Sequence, residues 1–316
     1  MSETVPETTT AGNAANPWVY PSGTAADGPW DVSLGTCDSA LHIEGWEHTG
    51  VKTATFDDAP LVLEAAAEER IVIPLSGDVR AVVGEQGEED GGEVYQLTGR
   101  ASVFHGPADV LYTGIHRRVK LTGAPGVRVA IATAPARSSY PTRVIRKDEI
   151  PVELRGAGNC SREVHNFGTP AALEADRFIV CEVLTPAGNW SSYPPHKHDE
   201  EKEGETRLEE IYYFETRTTP DAPDAAQDAI GYQRVYASDD RPIDVAAEVR
   251  TGDVVLVPYG WHGPAMAPPG YDLYYLNVMA GPGPVREWLI SDDPHHGWVR
   301  QQWEGQQVDP RLPFGR

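Results

Sequence analysis

Two histidines separated by one residue, His196 and His198, stand in the stretch NWSSYPPHKHDEEKEGETRLEEIYYFE (189–215). In a strand, side chains alternate faces, so residues i and i+2 point the same way. Two imidazoles aimed at one point are half of a metal site. A carboxylate from a neighbouring strand would add a third ligand and leave positions for water or substrate. Downstream, GDVVLVPYGWH (252–262) reads as a glycine turn, an apolar strand, a stop at Pro258 and Gly260, and then His262 at the strand end. His196, His198, one glutamate and His262 would form a three-nitrogen, one-oxygen site. Imidazole suits Zn, Fe, Ni and Cu, and a carboxylate ligand admits Mn.

Spacing alone would choose Glu203 as the acid, but residues 200–205 form a charged, glycine-bearing run of loop character. Glu210 opens Ile-Tyr-Tyr-Phe, a strand pattern, and strands hold ligands more rigidly than loops. Glu210 is therefore preferred over Glu203, Glu205 and Glu209. By the same alternation Tyr212 shares the face of Glu210 and is the candidate catalytic residue; its alternative role is an aromatic of the barrel wall. Lys197 lies between the two histidines and points off their face.

The chain that must position these groups has 316 residues, enough for two domains or one large one. Its 48 Asp+Glu against 26 Lys+Arg give a net charge of −22. Such a chain repels polyanions, so nucleic acid and anionic membranes are excluded as partners. An anionic substrate would need a locally positive site. Three widely spaced cysteines, Cys37, Cys160 and Cys181, do not make a disulfide framework. The first residues are polar and acidic with no apolar signal core, and no apolar run approaches the ~20 residues of a membrane span. A disordered tail over 1–16 and a cytoplasmic location are expected.

Short runs rich in β-branched and aromatic residues lie between glycine and proline turns: 70–75, 79–83, 101–104, 127–132, 178–183, 254–257 and 271–279. That pattern predicts an all-β sandwich or barrel. The best helical candidate is VREWLI (285–290). A polar, proline-flanked stretch at 136–151 predicts a division into domains at 17–145 and 146–316, each near the usual domain size. His42, His48, His105 and His116 of the first half include no HxH pair and read as packing or surface residues.

HxH, a glutamate before a strand, then G-x5-P-x-G and a histidine is similar to the two signature motifs of the cupins. The gap from His198 to Glu210 is longer than usual there, and only Trp261 separates Gly260 from His262. RGAGNCSREVHNFGTP (155–170), GNWSSYPPHKHDE (188–200), LEEIYYFE (208–215), VPYGWHGPAMAPPGYDLYYLNVMAGP (257–282) and DDPHHGWVRQQW (292–303) resemble more closely the 5-deoxy-glucuronate isomerase family of bacterial myo-inositol catabolism. The resemblance covers most of 28–303, with GRASVFHGP (99–107) carrying it in the first half, where 112–118 departs from the pattern. It implies a bicupin: two tandem cupin β-barrels (double-stranded β-helices) with few short helices and the metal in the second barrel. It also implies a metal-dependent aldose–ketose isomerase that converts 5-deoxy-glucuronate to 5-dehydro-2-deoxy-gluconate through an enediolate. The cofactor would be one divalent metal ion, Zn or Mn, with Fe or Ni as alternatives.

The implied substrate is a small anionic sugar acid, and its carboxylate suits the planar fork of an arginine. Arg155 and Arg162 flank the AGN turn of the strongest motif and are the candidates. Asn277, on the YYLNVM stretch, is expected to face the barrel interior. His165 and Asn166 would either back the metal ligands or cap a turn, and His295 and His296 read as surface. The same ligand set would also serve an iron dioxygenase or a manganese decarboxylase, and a sugar-binding bicupin is the non-enzymatic alternative. Strand edges and a tryptophan-rich tail (Trp288, Trp298, Trp303) are compatible with a homo-oligomer.

Overall fold

Strands dominate because the chain alternates short apolar runs with turn residues and offers few helical periods. The computed structural model describes residues 16–87, 91–223, 228–238 and 241–315. The disordered tail expected over 1–16 lies, apart from Asn16, outside them. The described helices are three short 3-10 turns, Lys147–Glu149, Gly158–Cys160 and Gly297–Trp303. None is long and apolar enough to cross a membrane.

Six of the seven expected strand runs lie in or overlap strands. The seventh, 101–104, is a turn. Its apolar residues Val103 and Phe104 are buried there, as core plugs rather than ladder members. The helix expected at 285–290 is absent. The segment follows Gly281-Pro282-Gly283-Pro284, and Arg286 ties it down by donating to the carbonyls of Gly168, Leu173 and Phe178.

Two pairs of antiparallel sheets result. In the first half, a six-stranded sheet runs Arg143–Ile145, Val110–Thr113, Glu68–Ser76, Arg128–Pro135, Gly50–Thr55, Val32–Leu34. It faces a four-stranded sheet of Leu61–Leu63, Arg117–Gly123, Val79–Glu85 and Glu93–Leu97. In the second half, a seven-stranded sheet includes Val254–Val257, Glu209–Thr218, Tyr271–Ala280 and Ile179–Thr185 as neighbours. Its partner sheet contains Gly231–Ser238, Trp261–Met266 and His196–Lys197. The strand Val19–Tyr20 crosses over and pairs with Val254 and Val255 of the second half.

Alternation along Glu209–Thr218 separates two cores. Ile211 and Tyr213 enter a large apolar cluster between the halves, while Tyr212 and Phe214 enter the core inside the second half. The cluster between the halves joins Ile71, Ile73 and Tyr112 to Phe178, Val180 and Tyr274.

Charged groups cross the same boundary. Glu69 of the first half accepts the backbone N–H groups of Asp176, Arg177 and Phe178. Glu209 of the second accepts those of Glu47, His48 and Thr49. Arg100 forks onto Glu182, which also accepts from Tyr274 and faces His165.

His165 meets a carboxylate at each ring nitrogen, Glu182 at 3.0 Å and Glu163 at 2.8 Å. Ionised carboxylates only accept, so both nitrogens carry protons. Burial pulls the ring's pKa down, but the bonds to Glu163 and Glu182 outweigh it and raise the pKa. Against the same burial, Glu182 is held at about 2 by Arg100 and His165. A raised folded-state pKa gives stability that is complete below the unfolded value of about 6.5 and is lost as pH climbs through the folded value. Thermal melts should therefore show Tm falling as pH rises above about 6.5. His165→Gln should lower Tm at the acid end and flatten that slope; an unchanged slope would exclude the imidazolium.

Candidate metal centre and its cavity

Glu210 faces inward because it sits one residue past Glu209, which is turned toward the first half. On the facing sheet, His196 and His262 are directly paired across adjacent strands. His198 follows two residues later. Asp199 then ties the segment to the Gly260 turn. Its carboxylate accepts from Lys197 Nζ at 2.6 Å, Ser238 Oγ at 3.0 Å, Arg241 at 2.6 Å and the Gly260 N–H at 2.8 Å. Burial would raise the Asp199 pKa; Lys197, the Gly260 N–H and Arg241 hold it at about 2. Gly263 must lack a side chain, since a Cβ there would lie 1.8 Å from the Ser192 carbonyl oxygen. His262 and the Ser192 loop are thereby pressed together.

The tautomers of the three imidazoles follow from their partners. Nδ1 of His196 lies 3.3 Å from Pro194 O, Nδ1 of His198 lies 3.2 Å from Leu208 O, and Nδ1 of His262 lies 3.2 Å from Gly260 O. A carbonyl oxygen only accepts, so each Nδ1 carries the proton and each Nε2 of a neutral ring presents a lone pair. Nε2 of His198 and Nε2 of His262 both stand 3.1 Å from the same Glu210 oxygen. His262 Nε2 is buried and makes no aligned hydrogen bond.

Either protons on those nitrogens, where Glu210 outweighs burial and raises the His198 pKa, or a cation among the three groups stabilises this contact. Donors set at right angles about an ion with bonds of ~2.1 Å stand ~3 Å apart, the separation seen. Ligand atoms of His198, Glu210 and His262 all lie within 4.8 Å of one another. His196 is outside that tightest group but packs edge-on against His262, ring centroids 4.5 Å apart. These residues fit a divalent metal. Burial and the neighbouring imidazoles hold the His196 pKa well down, keeping its ring neutral. Glu210, against its burial, is brought to about 2 by His198 and His262 and stays ionised.

The other glutamates weighed as ligands are elsewhere. Glu203 is exposed. Glu205 binds Lys197 and the Asp199 backbone N–H. Glu209 holds the first-half loop. In the first half, the residue next inward from Glu69 is Arg70, whose guanidinium donates to Glu64 O and Arg117 O. A fixed cation there stands where the second half has its Glu210. His165 does not back the histidine cluster; its ring nitrogens are committed to Glu163 and Glu182.

A cavity of about 460 Å³ opens beside the cluster. His196, Glu210, Tyr212, Asn277, Arg155 and Arg162 all line it. Asn277 donates to Ile211 O at 3.3 Å. Arg155 is engaged twice by Glu153, at 2.9 and 2.7 Å. Arg162 is different: it is buried, its hydrogen bond goes to Cys160 O at 3.0 Å, and it has no carboxylate partner among the described residues. Burial, with Arg155 and Arg300 nearby, pulls its pKa down to about 10.

Ser192, Tyr275, Trp288, Asp292 and Arg300 also line the cavity, and sequence reasoning missed all five as site residues. Arg300 is paired with Asp292. The tryptophans of the tail divide: Trp298 is exposed, whereas Trp288 packs on Arg155 and Trp303 on Arg162 and Arg300. The indole N–H of Trp288 is buried without an acceptor. The DDPHHGWVRQQW run was the signal for part of this wall, but its return to the barrel mouth is a tertiary fact.

The KduI/IolB family profile matches residues 26–299. A protein named 5-deoxy-glucuronate isomerase from Geobacillus kaustophilus is 40% identical over 262 residues, 81% of this chain and 87% of that one. One of the same name from Bacillus subtilis is 37% identical over 76% of this chain and 82% of its own. The crystal structure of an IolB-like protein from Salmonella typhimurium superposes with a TM-score of 0.76 at 33% identity, covering 89% of this chain and 98% of that one. An oxalate decarboxylase from Lactobacillus farciminis superposes with a TM-score of 0.52 at 10% identity, over 79% and 80% of the two chains. The last likeness concerns the fold alone, which is that of a bicupin.

Elemental analysis should find about one divalent ion per chain in the purified protein. Glu210→Gln and His262→Ala should each weaken its retention roughly tenfold or more, while Glu203→Gln should leave it unchanged. Full occupancy in Glu210→Gln would remove Glu210 from the ligand set.

Proposed function

The chain belongs to the KduI/IolB family, and on that premise we propose that it isomerises 5-deoxy-glucuronate to 5-dehydro-2-deoxy-gluconate with one divalent metal held by His196, His198, Glu210 and His262. Zn or Mn suits the three-nitrogen, one-oxygen donor set. The reading gives the chemistry to the second half, 146–316, and leaves the first, 17–145, as its structural partner. The observation that carries it is the pairing of unlike groups on one cavity: a His/Glu cluster suited to a cation, and a buried guanidinium with no carboxylate partner among the described residues.

The substrate has an aldehyde at C1, a hydroxyl at C2 and a carboxylate at the far end. Isomerisation moves a proton from C2 to C1 and another between the two oxygens, by way of an enediolate. The C2–H is a weak acid, so negative charge on O1 and O2 must be stabilised. The bound metal supplies Lewis-acid stabilisation of that charge, a contribution of several kcal/mol.

The rest of the chemistry falls to this chain's own residues. Arg162 binds the carboxylate, because the forks of Arg155 and Arg300 are already occupied by Glu153 and Asp292. The Trp288 indole N–H adds a second donor at that end. An unpaired buried guanidinium is costly, and the substrate's carboxylate offsets the cost. With the carboxylate there, the aldehyde end lies toward Glu210. Tyr212 and Asn277 form the wall between.

Incubating the metal-loaded protein with the uronic acid in deuterated buffer tests the activity. NMR should show the ketose with solvent deuterium on the carbon beside the new carbonyl; an unchanged sugar would remove the isomerase reading. Arg162→Met should raise KM roughly 10–100-fold with a smaller change in kcat, the cost of a charge-assisted pair. Arg155→Met should cost less. A larger loss for Arg155→Met than for Arg162→Met would reassign the carboxylate.

A further inference from the structure

A continuous chain of buried hydroxyls forms one wall of the cavity. Tyr212 Oη lies 3.1 Å from Ser192 Oγ, which lies 3.2 Å from Tyr275 Oη. Tyr275 Oη lies 3.0 Å from Ser191 Oγ, which also meets Thr185 Oγ1 at 2.8 Å and the Ala265 carbonyl at 3.1 Å. Ser192, Tyr212 and Tyr275 line the cavity; Thr185 and Ser191 lie behind it, fully buried.

The proton directions in this chain are determined by its far end. The Ala265 carbonyl can only accept, so the single proton of Ser191 goes to it. Tyr275 can bond Ser191 only by donating. Its proton is then spent, so Ser192 must donate to Tyr275. Tyr212 must in turn donate to Ser192. Every hydroxyl therefore points its proton into the wall, and Tyr212 is left with only lone pairs for the cavity.

The fold invests in this arrangement. Ser192 is held in the left-handed region, φ +48, which non-glycine residues rarely adopt. Gly263 packs against its carbonyl with no room for a Cβ.

We propose that this one-way hydroxyl chain makes Tyr212 an obligate acceptor that selects a donating sugar hydroxyl, with Ser192 and Tyr275 as positioning residues that enforce the direction. The inference rests on the sugar-acid reading above. With the carboxylate at Arg162 and the aldehyde end toward Glu210, a mid-chain hydroxyl meets this wall. A sugar presenting only an acceptor there would set lone pair against lone pair. The wall thus discriminates by donor capacity rather than by size.

The test uses the metal-loaded full-length protein and a set of product analogues in which each chain hydroxyl is replaced in turn by fluorine. Fluorine is close in size and cannot donate. The readout is the ratio of dissociation constants, fluoro over hydroxy, at each position. In the wild type one mid-chain position should show a penalty of about tenfold or more. Tyr275→Phe removes the acceptor of the Ser192 proton, which then turns to Tyr212 and frees the Tyr212 proton to face the cavity. That variant should shrink the penalty to within about threefold, and Ser192→Ala should do the same.

A merely structural role would weaken both ligands equally and leave the ratio intact. Metal content and thermal melts on the same preparations separate folding defects from the effect sought. An unchanged ratio in both variants, or no penalised position in the wild type, overturns the inference even if the uronic acid is turned over. Loss of turnover in the wild type overturns the isomerase reading instead. A wild type that binds none of the fluoro analogues, so that no single position stands out, overturns the inference and leaves the isomerase reading to the turnover assay.

Discussion

Three backbone carbonyls decide the chemistry of the cavity. By accepting from Nδ1 of His196, His198 and His262, they fix each imidazole in the tautomer that offers Nε2 as a lone pair. Glu210 stands between two of those nitrogens, which meet it either as protonated donors or as fellow ligands of a cation. A buried carboxylate and converging lone pairs are unfavourable together in a low-dielectric interior, and a proton or a cation resolves the conflict. The local backbone around each histidine, as well as the histidines themselves, suits the cluster to a divalent ion. The loops that supply those carbonyls are stiffened by Asp199 and by Gly263.

The same strand that delivers Glu210 also joins the two halves. Glu209, Ile211 and Tyr213 face the first half; Glu210, Tyr212 and Phe214 face the second half's interior. A slip of one residue would exchange the two sets, putting the metal-facing acid against the first half's loop. The reciprocal grip of Glu69 and Glu209 on each other's loops pins that register from both sides. The placement of Glu210 therefore depends on packing against the first half.

The cavity is graded in hydrogen-bond character along its length. The tail end offers donors, Arg162 and the Trp288 indole, while the Tyr212 wall offers acceptors and the His/Glu end calls for a cation. A linear sugar acid has matching character: carboxylate, hydroxyls, then carbonyl. In the proposed reading, orientation follows from chemistry at three points instead of from shape alone. The strongly acidic surface elsewhere makes the buried arginines the exception that marks the substrate's end.

Much of this was legible in the linear chain. Short β-branched and aromatic runs between glycine and proline turns specified an all-β fold, the His196/His198 spacing put two imidazoles on one face, and strand parity picked Glu210 and Tyr212 together. Those inferences work because strand geometry is local and regular. The failures were also local. The run 101–104 is apolar for a turn that plugs a core, and 285–290 has helical composition but is tied down by Arg286. What no local rule reached was the far wall. Arg300, Trp288 and Trp303 lie some hundred residues or more from Arg162 in sequence, and only the return of the tail brings them to it. The proton directions behind Tyr212 likewise depend on Ala265, a carbonyl with no side-chain signature. Sequence determines which faces the strands present; contacts between distant segments, and the backbone atoms every residue shares, are decided only when the chain has closed on itself.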